Sequence, residues 1–284
     1  MKKKFLTIIL IITAICVSFA GGCIKNPDPD STVDYDSLEL IWSDEFDTFD
    51  KSVWINGEDG IRRGGYWDID QVSAKDGNLV ITTEYLEDGK YGSGWYSAGI
   101  YTHGTFGMTS GYVEARCKLP AGSGQWGAVW LNSAEMKADG DGTEIDIVEG
   151  AYYDDPDHGE KYKNTAYHTI HAKGYGEEHI SETSPYYRVG NDIFENFNVY
   201  GVYFDENGYK FYVNGMLTWE TDFCPTAAIE YLYLSTEVAG ETNSANPSNP
   251  DNKFTWSGEI TSNPGGNNFK SEFLIDYIRC YKVK

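Results

Sequence analysis

Residues 198–214 read NVYGVYFDENGYKFYVN, and this stretch decides the fold class of the chain. Two runs rich in Val, Tyr and Phe, 198–204 and 209–214, flank the turn-forming residues 205–208 (DENG), which is the pattern of a β-hairpin. Similar short runs recur at 79–83, 112–119, 231–238 and 273–283. The sequence contains no convincing amphipathic helical pattern, with room only for a short turn at 226–230. Many short strands separated by turns favour an all-β antiparallel sandwich or barrel.

The composition is that of one folded, acidic domain. The 284 residues carry 44 acidic against 22 basic side chains, a net charge of −22, and 40% of them are apolar and 15% aromatic. This length suits a single large all-β domain, and the apolar content excludes a disordered acidic chain. The acidity disfavours nucleic acid and anionic membrane surfaces as partners. The Trp and Tyr residues suit wet ligand-binding surfaces as well as cores. We expect the protein to be a monomer.

The first 22 residues have the pattern of an export signal. Residues 2–4 are lysines, residues 5–20 form an apolar run, and Ala20, Gly21 and Gly22 precede Cys23. The run is shorter than a typical membrane span and has no basic flank after it, which favours a cleaved signal peptide (1–22) over a transmembrane anchor. Small residues before a cysteine resemble a bacterial lipobox. We therefore predict that Cys23 carries lipid and anchors the protein to a cell membrane outside the cytoplasm, with plain secretion as the alternative.

The remaining chain divides into a short polar segment and the domain. Residues 23–37 begin with Cys23 and continue rich in Pro, Asp and Ser, which predicts a flexible tether, and the folded domain is predicted to span residues 38–284. A second polar stretch, residues 240–252, is predicted to be a long functional loop.

Three cysteines lie in the predicted domain: Cys117, Cys224 and Cys280. They allow at most one disulfide, and no C-x-x-C metal spacing is present. We expect Cys117 and Cys280, inside strand-like runs, to be small buried hydrophobic residues.

Three carboxylates cluster in residues 142–150, GTEIDIVEG. Side chains alternate along a regular strand, so Glu144 and Asp146 would share one face and Glu149 would take the other. One bulge residue between Asp146 and Glu149 returns Glu149 to the face of the other two. Two carboxyl groups about 5–5.5 Å apart are what a retaining glycosidase needs, one as nucleophile and one as acid/base. A solvated strand face with ordinary acids is the alternative that spacing alone leaves open.

This segment resembles the bulged E-x-D-x-x-E signature of glycoside hydrolase family 16, and other motifs similar to that family's follow in the expected order. They are residues 42–46 (WSDEF), 76–81 (DGNLVI), 111–120 (GYVEARCKLP), 124–131 (GQWGAVWL) and 276–281 (DYIRCY). The resemblance covers nearly the whole of residues 38–284. It implies a β-jelly-roll sandwich, concanavalin A-like, with a sugar-binding cleft across its concave sheet.

The resemblance also implies roles for individual residues. Glu144 matches the nucleophile, Glu149 the acid/base and Asp146 the assisting acid between them. The residues expected to bind substrate are Trp126, Trp130, His171, Tyr66 and Trp67. Core packing is an equal alternative for Trp130, surface packing for Trp67 and a solvent-facing position for His171. Glu45, Gly77 and Asp276 resemble a structural calcium site on the convex side, with ordinary surface acids as the alternative. No cofactor is expected for catalysis.

The expected substrate is a β-linked polysaccharide, cut internally by double displacement. The bulged signature favours the laminarinase and galactanase branches of the family. We expect first a β-1,3- or β-1,3-1,4-glucan, with a β-galactan as the alternative, cut by an agarase-, porphyranase- or carrageenase-like enzyme. The negative charge disfavours sulfated galactans, although Arg62 and Arg63 could supply local cations. A transglycosylase would carry the same residues, whereas a non-catalytic carbohydrate-binding module would have no use for the three acids.

Overall fold

The structure is a computed structural model that describes residues 24–57, 59–150, 163–239 and 257–284. Its strands, in chain order, are β1 Asp28–Thr32, β2 Leu38–Asp44, β3 Ile55–Asn56, β4 Gly60–Arg62, β5 Gly65–Trp67, β6 Val72–Lys75, β7 Asn78–Leu86, β8 Gly94–Ser97, β9 Gly99–Tyr101, β10 Gly111–Lys118, β11 Gln125–Asn132, β12 Thr143–Gly150, β13 Thr165–Ala166, β14 Thr169–Ala172, β15 Ile180–Thr183, β16 Tyr187–Arg188, β17 Asn198–Asp205, β18 Gly208–Val213, β19 Met216–Thr221, β20 Tyr231–Val238 and β21 Lys270–Val283. The helices within these ranges are single 3₁₀ turns at Tyr35–Ser37, Ile69–Gln71, Ile260–Ser262 and Gly266–Asn268.

The strands form two large sheets. The larger has twelve strands in the order β1-β19-β18-β17-β10-β21-β7-β8-β5-β4, with β2 added on β21 and β6 on β7. The smaller has seven strands in the order β15-β14-β12-β11-β20-β9-β3, while β13 and β16 pair separately. The pairing of β5 with β8 is parallel, and the other strand pairs of the two sheets are antiparallel. The predicted all-β antiparallel sandwich is therefore confirmed.

One hydrophobic core lies between the sheets. The twelve-stranded sheet contributes fully buried side chains from its central strands, including Val113, Ala115, Val202, Phe204, Ile275 and Ile278. The seven-stranded sheet contributes residues that alternate along β11, β12 and β20, including Val129, Leu131, Ile145, Leu232 and Leu234. Because successive strand residues point to opposite faces, the residues between these core positions lie on the outer face of the seven-stranded sheet. That face carries the candidate site.

The hairpin at 198–214 forms as predicted. Strands β17 and β18 pair in register from Tyr200 with Val213 to Asp205 with Gly208. Gly208 has a φ of +143°, and a Cβ there would lie 2.4 Å from the carbonyl oxygen of Thr221. The turn therefore requires glycine, both for its backbone angle and for the close approach of β19.

The expected turn at 226–230 has no helical structure; within this described stretch the chain joins β19 to β20 irregularly. Two hydrogen bonds of the Thr226 hydroxyl hold this segment in place. The hydroxyl donates to the carbonyl oxygen of Asp141 and accepts from the backbone N–H of Ala228. These contacts replace a local helical turn, because the segment crosses between sheets and has no helical face to bury.

The N-terminal segment, predicted to be a flexible tether, is docked on the domain. Strand β1 pairs with the edge strand β19, and the backbone N–H of Lys25 donates to the carbonyl oxygen of Tyr186 at 2.8 Å. The Tyr35 hydroxyl donates to Glu114 Oε2 at 2.6 Å. The physical reason is that β19 would otherwise expose unpaired backbone groups, which β1 satisfies. The segment is therefore bound to the domain along part of its length. The boundary at residue 38 stays a prediction, and the signal segment and Cys23 lie outside the described residues.

The cysteines follow the prediction for buried thiols. Cys117 and Cys280 are fully buried on β10 and β21, and Cys224 is half-buried. All three are free. In the described part of the chain, no helix is long and apolar enough to cross a bilayer.

Candidate active site

Strand β12 carries the predicted bulge. Val129 of β11 pairs with Val148, but the next residue, Trp130, pairs with Asp146, so Ile147 has no partner on β11. Ile147 and Val148 are both fully buried in the core. The alternation therefore restarts after the bulge, and Glu149 returns to the outer face on which Glu144 and Asp146 lie.

Glu144 is held by two hydrogen-bond donors on one oxygen. The Asn132 side-chain amide, directly opposite on β11, donates to Glu144 Oε2 at 3.0 Å. The Tyr175 hydroxyl donates to the same oxygen. The second oxygen, Oε1, lies 3.9 Å from His171 Nε2. One carboxylate oxygen is thus fixed in place and the other is left for chemistry.

Asp146 lies beside His171, which the register places on the neighbouring strand β14. His171 pairs with Glu144 across the strands, and its Nε2 lies 3.3 Å from Asp146 Oδ2. The opposite ring nitrogen, Nδ1, lies 2.9 Å from His179 Nε2. His171 therefore contacts the carboxylate cluster, which excludes the alternative of a histidine directed only at solvent.

Burial raises the pKa of all three carboxyl groups, but unequally. For Glu144 the hydrogen bonds from Tyr175 and Asn132 and the nearby His171 oppose this increase. The pKa of Asp146 is raised well above its usual range by burial and by the charge of Glu144. Burial and the charges of Asp146 and Glu144 do the same to Glu149. Glu144 is the carboxyl best suited to ionise, and Glu149 is well suited to hold a proton at neutral pH.

Aromatic side chains line a cavity of about 380 Å³, and they include Trp67, Tyr101, Trp130 and Tyr233. Trp130 is half-buried on the outer face opposite Asp146, and its ring lies 4.3 Å from that of Tyr233. Its Nε1 donates to Ser235 Oγ at 3.1 Å. Trp130 therefore lines a cavity and is not part of the hydrophobic core, and its contact with substrate stays a prediction. A larger cavity, of about 850 Å³, lies against the β17–β18 hairpin, away from the carboxylates.

Two arginines lie over the rings of Trp67 and Trp126, and we call these four residues the cleft wall. The Arg62 guanidinium lies 4.5 Å from the Trp67 ring, and that of Arg63 lies 5.1 Å from the Trp126 ring. Both arginines form ion pairs with Glu237, which is almost fully buried on β20. Trp126 is only 5% exposed. It therefore supports Arg63 in the cleft wall and presents little open ring surface.

Tyr66, predicted to bind substrate, lies away from this cavity. Its ring stacks on Tyr91 at 5.6 Å and packs on Tyr96 at 4.9 Å. Trp67, the next residue, borders the cavity instead. The two rings diverge because neighbouring residues of strand β5 point to opposite faces, and substrate binding by Tyr66 stays a prediction.

The comparisons with known proteins agree with this geometry. The family model for the GH16 domain of β-porphyranases A–D matches residues 39–283. The chain belongs to glycoside hydrolase family 16. A keratan-sulfate endo-1,4-β-galactosidase from Sphingobacterium multivorum is 26% identical, over 99% of this chain and 68% of that protein. A β-glucanase from Rhodothermus marinus is 26% identical, over 86% and 85% of the two chains. The laminarinase catalytic domain of Thermotoga maritima MSB8 superposes with a TM-score of 0.68 at 26% identity, covering 87% of this chain and 99% of that one.

As a member of family 16, the protein is an endo-acting glycosidase that hydrolyses O-glycosyl bonds. The predicted family and the predicted jelly-roll fold are both confirmed.

The calcium site expected for this family 16 enzyme does not fit the described residues well. Arg279 donates to both oxygens of Glu45, at 2.9 and 2.8 Å. Arg116 donates to Asp276 Oδ2 at 2.5 Å. Each carboxylate already has a cationic partner, so calcium would have to displace two arginines. The site, including Gly77, stays a prediction.

Within the described ranges, one group of side chains could gather a metal ion: Glu144, Asp146 and His171, whose ligand atoms lie within 4.8 Å of one another. Glu144 and Asp146 are predicted catalytic acids and His171 is a predicted substrate-binding residue, so we assign this group no metal.

Several site residues of the family 16 enzyme carry no signal in the sequence. Tyr175 and His179 lie in the turn between β14 and β15, and Glu237 lies on β20. Asn132 could have been found by extending the β11–β12 pairing from the bulge, since it falls opposite Glu144. The loop predicted at residues 240–252 lies outside the described residues.

Proposed function

We propose that this family 16 glycosidase cleaves internal β-galactosyl bonds of a galactose-containing polymer, with retention of configuration. The bulge at Ile147 carries the mechanistic part of the proposal. It brings Glu144 and Glu149 to one face of β12, on either side of Asp146, and a retaining glycosidase needs two carboxyl groups that flank the scissile bond.

The mechanism follows from the surroundings of each acid. Asn132 and Tyr175 both donate to Oε2 of Glu144, which leaves Oε1 to attack the anomeric carbon. The proton on Glu149 moves to the departing glycosidic oxygen as the glycosyl-enzyme ester forms. Glu149, now ionised, takes a proton from water, and the resulting hydroxide attacks the anomeric carbon and releases Glu144. Asp146, buried between them, helps to separate the pKa values of the pair.

The aromatic residues that line the cavity support the internal mode of cleavage. Trp130, Tyr233, Tyr101 and Trp67 lie along one cavity. Flat rings contact the apolar faces of pyranose sugars, and a row of them favours several consecutive sugar units.

The galactose polymer is supported by two similarities and one structural feature. The β-porphyranase model matches nearly the whole domain, and the similar keratan-sulfate endo-1,4-β-galactosidase aligns over 99% of the chain. In the cleft wall, Arg62 and Arg63 share the single carboxylate of Glu237. Guanidinium groups present several N–H donors in a fixed planar array, which suits a polymer that carries anionic groups.

A β-1,3- or β-1,3-1,4-glucan is the second candidate. The observations that favour it are the 26% identity to the Rhodothermus marinus β-glucanase and the superposition on the Thermotoga maritima laminarinase. Both candidates use the same carboxylates and differ in the sugar and its substituents.

Incubation with keratan sulfate, porphyran, agarose, laminarin, lichenan and xyloglucan, followed by sizing of the products, tests the proposal. We expect rapid shortening of a galactose polymer to mixed oligosaccharides, β-configured at first release, and no products from the Glu144→Gln variant. Cleavage of laminarin or lichenan alone would replace galactan with glucan as the substrate. A second incubation, with an oligosaccharide of the cleaved polymer, tests for transglycosylation: products longer than that oligosaccharide would identify a transglycosylase.

We also propose that the protein is a lipoprotein, exported and anchored through Cys23. Lys25 is already bound to Tyr186 and Arg188 by backbone hydrogen bonds, so a single residue, Ile24, separates the anchor from the folded domain. The enzyme would then work directly against the membrane surface. Detergent partitioning of the full chain and of a Cys23→Ser variant tests this, and an unmodified protein found wholly in the culture fluid would indicate plain secretion.

The monomeric state also stays a prediction, which light scattering of the exported protein tests. We expect a molar mass close to that of one chain.

A further inference from the structure

The turn between β14 and β15 returns two side chains to the catalytic carboxylates. Lys173 and Gly174 follow β14 with φ values of +66° and +69°, so two consecutive left-handed residues reverse the chain there. Behind them, the Tyr175 hydroxyl donates to Glu144, and His179 Nε2 lies 2.9 Å from His171 Nδ1. His179 is half-buried and does not itself contact a carboxylate in the described structure.

The contacts of His171 determine where its protons lie. Nε2 lies 3.3 Å from Asp146 Oδ2 and 3.9 Å from Glu144 Oε1. Glu144 is the carboxyl best suited to ionise, and its negative charge attracts an N–H at Nε2 and repels a lone pair there, so Nε2 is the nitrogen that carries the hydrogen in neutral His171. A neutral imidazole has one N–H and one acceptor nitrogen. In neutral His171 the acceptor is therefore Nδ1, and the hydrogen between the two rings belongs to His179.

The same contact also serves the protonated form. When His171 is an imidazolium, both of its nitrogens are donors, and Nδ1–H donates to His179 Nε2, provided that His179 takes the other tautomer. In both states Nε2–H stays on the side of the ring that faces Asp146 and Glu144. We propose that His179 is a positioning residue that holds the Nε2–H of His171 on the catalytic carboxylates whether His171 is neutral or charged.

The titratable groups around His171 come from two parts of the chain. Glu144, Asp146 and Glu149 face it from β12, while Tyr175 and His179 face it from the turn after β14. Without a partner at Nδ1, neutral His171 would be free to carry its hydrogen there. It would then present a lone pair to Asp146 and alter the proton balance of the cluster. This inference rests on retaining hydrolysis by the carboxylates and not on the identity of the polymer.

Nitrogen-15 NMR of the full chain with labelled histidine tests the tautomer without any substrate. The five histidines are few enough to assign His171 by comparison with a His171→Gln variant. We expect hydrogen at Nε2 of His171 in the neutral wild-type protein, and a mixture of both tautomers in His179→Leu. A neutral wild-type His171 protonated at Nδ1 alone would overturn the proposal.

Kinetics of a matched pair of variants provides the second test, on whichever polymer the panel identifies. The Gln side chain of His179→Gln can donate or accept at nearly the position of Nε2, whereas His179→Leu can do neither. We expect kcat to fall about tenfold in His179→Leu with KM nearly unchanged and a displaced pH profile, and to be largely restored in His179→Gln. Equal losses in both variants would assign His179 a packing role, and wild-type kcat and pH profile in His179→Leu would remove its role altogether. If no polymer is cleaved, the NMR result still decides the proposal.

Discussion

His168 Nδ1 lies 2.7 Å from the carbonyl oxygen of Ile147, the extra residue of the bulge that directs the catalytic acids. On the other side of the ring, Nε2 lies 2.9 Å from Thr218 Oγ1 on β19. His168 is fully buried and stacks on Phe211 with 4.6 Å between ring centroids. A core histidine thus ties the catalytic strand of one sheet to the opposite sheet. His171, three residues further along and within β14, faces the carboxylate cluster instead.

Replacing His168 by Gln should change how stability depends on pH. Burial lowers the pKa of His168 to about 4, whereas an unfolded histidine titrates near 6.5. The unfolded state therefore binds more protons between these values, and this contribution to stability is full above pH 6.5 and is lost as the pH falls to 4. The loss amounts to about 3 kcal/mol.

Urea unfolding of the wild type and of His168→Gln between pH 4 and 7.5 measures this effect as a difference. The comparison is needed because the raised pKa values of Glu149 and Glu230 give stability the opposite slope. A constant difference across the range would contradict the neutral, buried state of His168.

Glu144→Gln and Glu149→Gln should each lower kcat/KM by at least about a thousandfold. The fold should survive, because each change removes a charge from a cluster in which the carboxyl groups raise one another's pKa. Thermal unfolding should therefore occur at the same temperature or higher. Azide should restore turnover of Glu149→Ala on an activated substrate, since the glycosyl-enzyme still forms but lacks its base. Near-normal activity of Glu144→Gln would refute the assignment.

Trp130→Ala should weaken the binding of long oligosaccharides. The ring borders the cavity beside Asp146, so its removal should raise KM about tenfold, which corresponds to about 1.4 kcal/mol. Trp130→Phe should recover much of this, because a flat ring remains. Tyr66→Ala is the control: its ring packs on Tyr96, and we expect reduced stability with an unchanged KM. Isothermal titration with the inactive Glu144→Gln background separates binding from catalysis.

Arg62→Met and Arg63→Met, made singly, should discriminate between charged and neutral polymers. Each variant leaves the other arginine paired with buried Glu237, so the fold should be retained. We expect KM for a sulfated galactan to rise about tenfold, about 1.4 kcal/mol, and KM for a neutral polymer to change little. Lys282→Met removes an exposed charge from β21 and serves as the control. An equal rise in KM for both polymers would show that the arginines do not recognise anionic groups.

Tyr35→Phe should destabilise the domain without affecting turnover. The Tyr35 hydroxyl donates at 2.6 Å to Glu114, a carboxylate that is only 2% exposed. Loss of a donor to a buried charged group costs about 1–3 kcal/mol. Tyr203→Phe, which loses a partly exposed hydrogen bond to Asp205, should cost less than about 0.5 kcal/mol. Denaturant unfolding compares the two. A stability as high as that of the wild type would show that the Tyr35–Glu114 hydrogen bond does not stabilise the domain.

The sequence by itself determined the hairpin at 198–214 and the all-β class, and it showed that the three acids need a bulge in β12 to share one face. These features depend on local patterns: alternation of apolar residues, glycine in turns, and the spacing of Glu144, Asp146 and Glu149. Local backbone geometry is enough to place such side chains on one face, whatever the rest of the chain does.

Only the tertiary structure decided the partners of those acids and the position of the N-terminal segment on the domain. Arg62 and Glu237 are 175 residues apart, and no pattern near either residue indicates the other. The same holds for Tyr35 and Glu114 and for β1, whose polar composition suits a tether and whose pairing arises from the free edge of β19. Such contacts depend on which strand edges and side chains packing brings together, and composition does not record that.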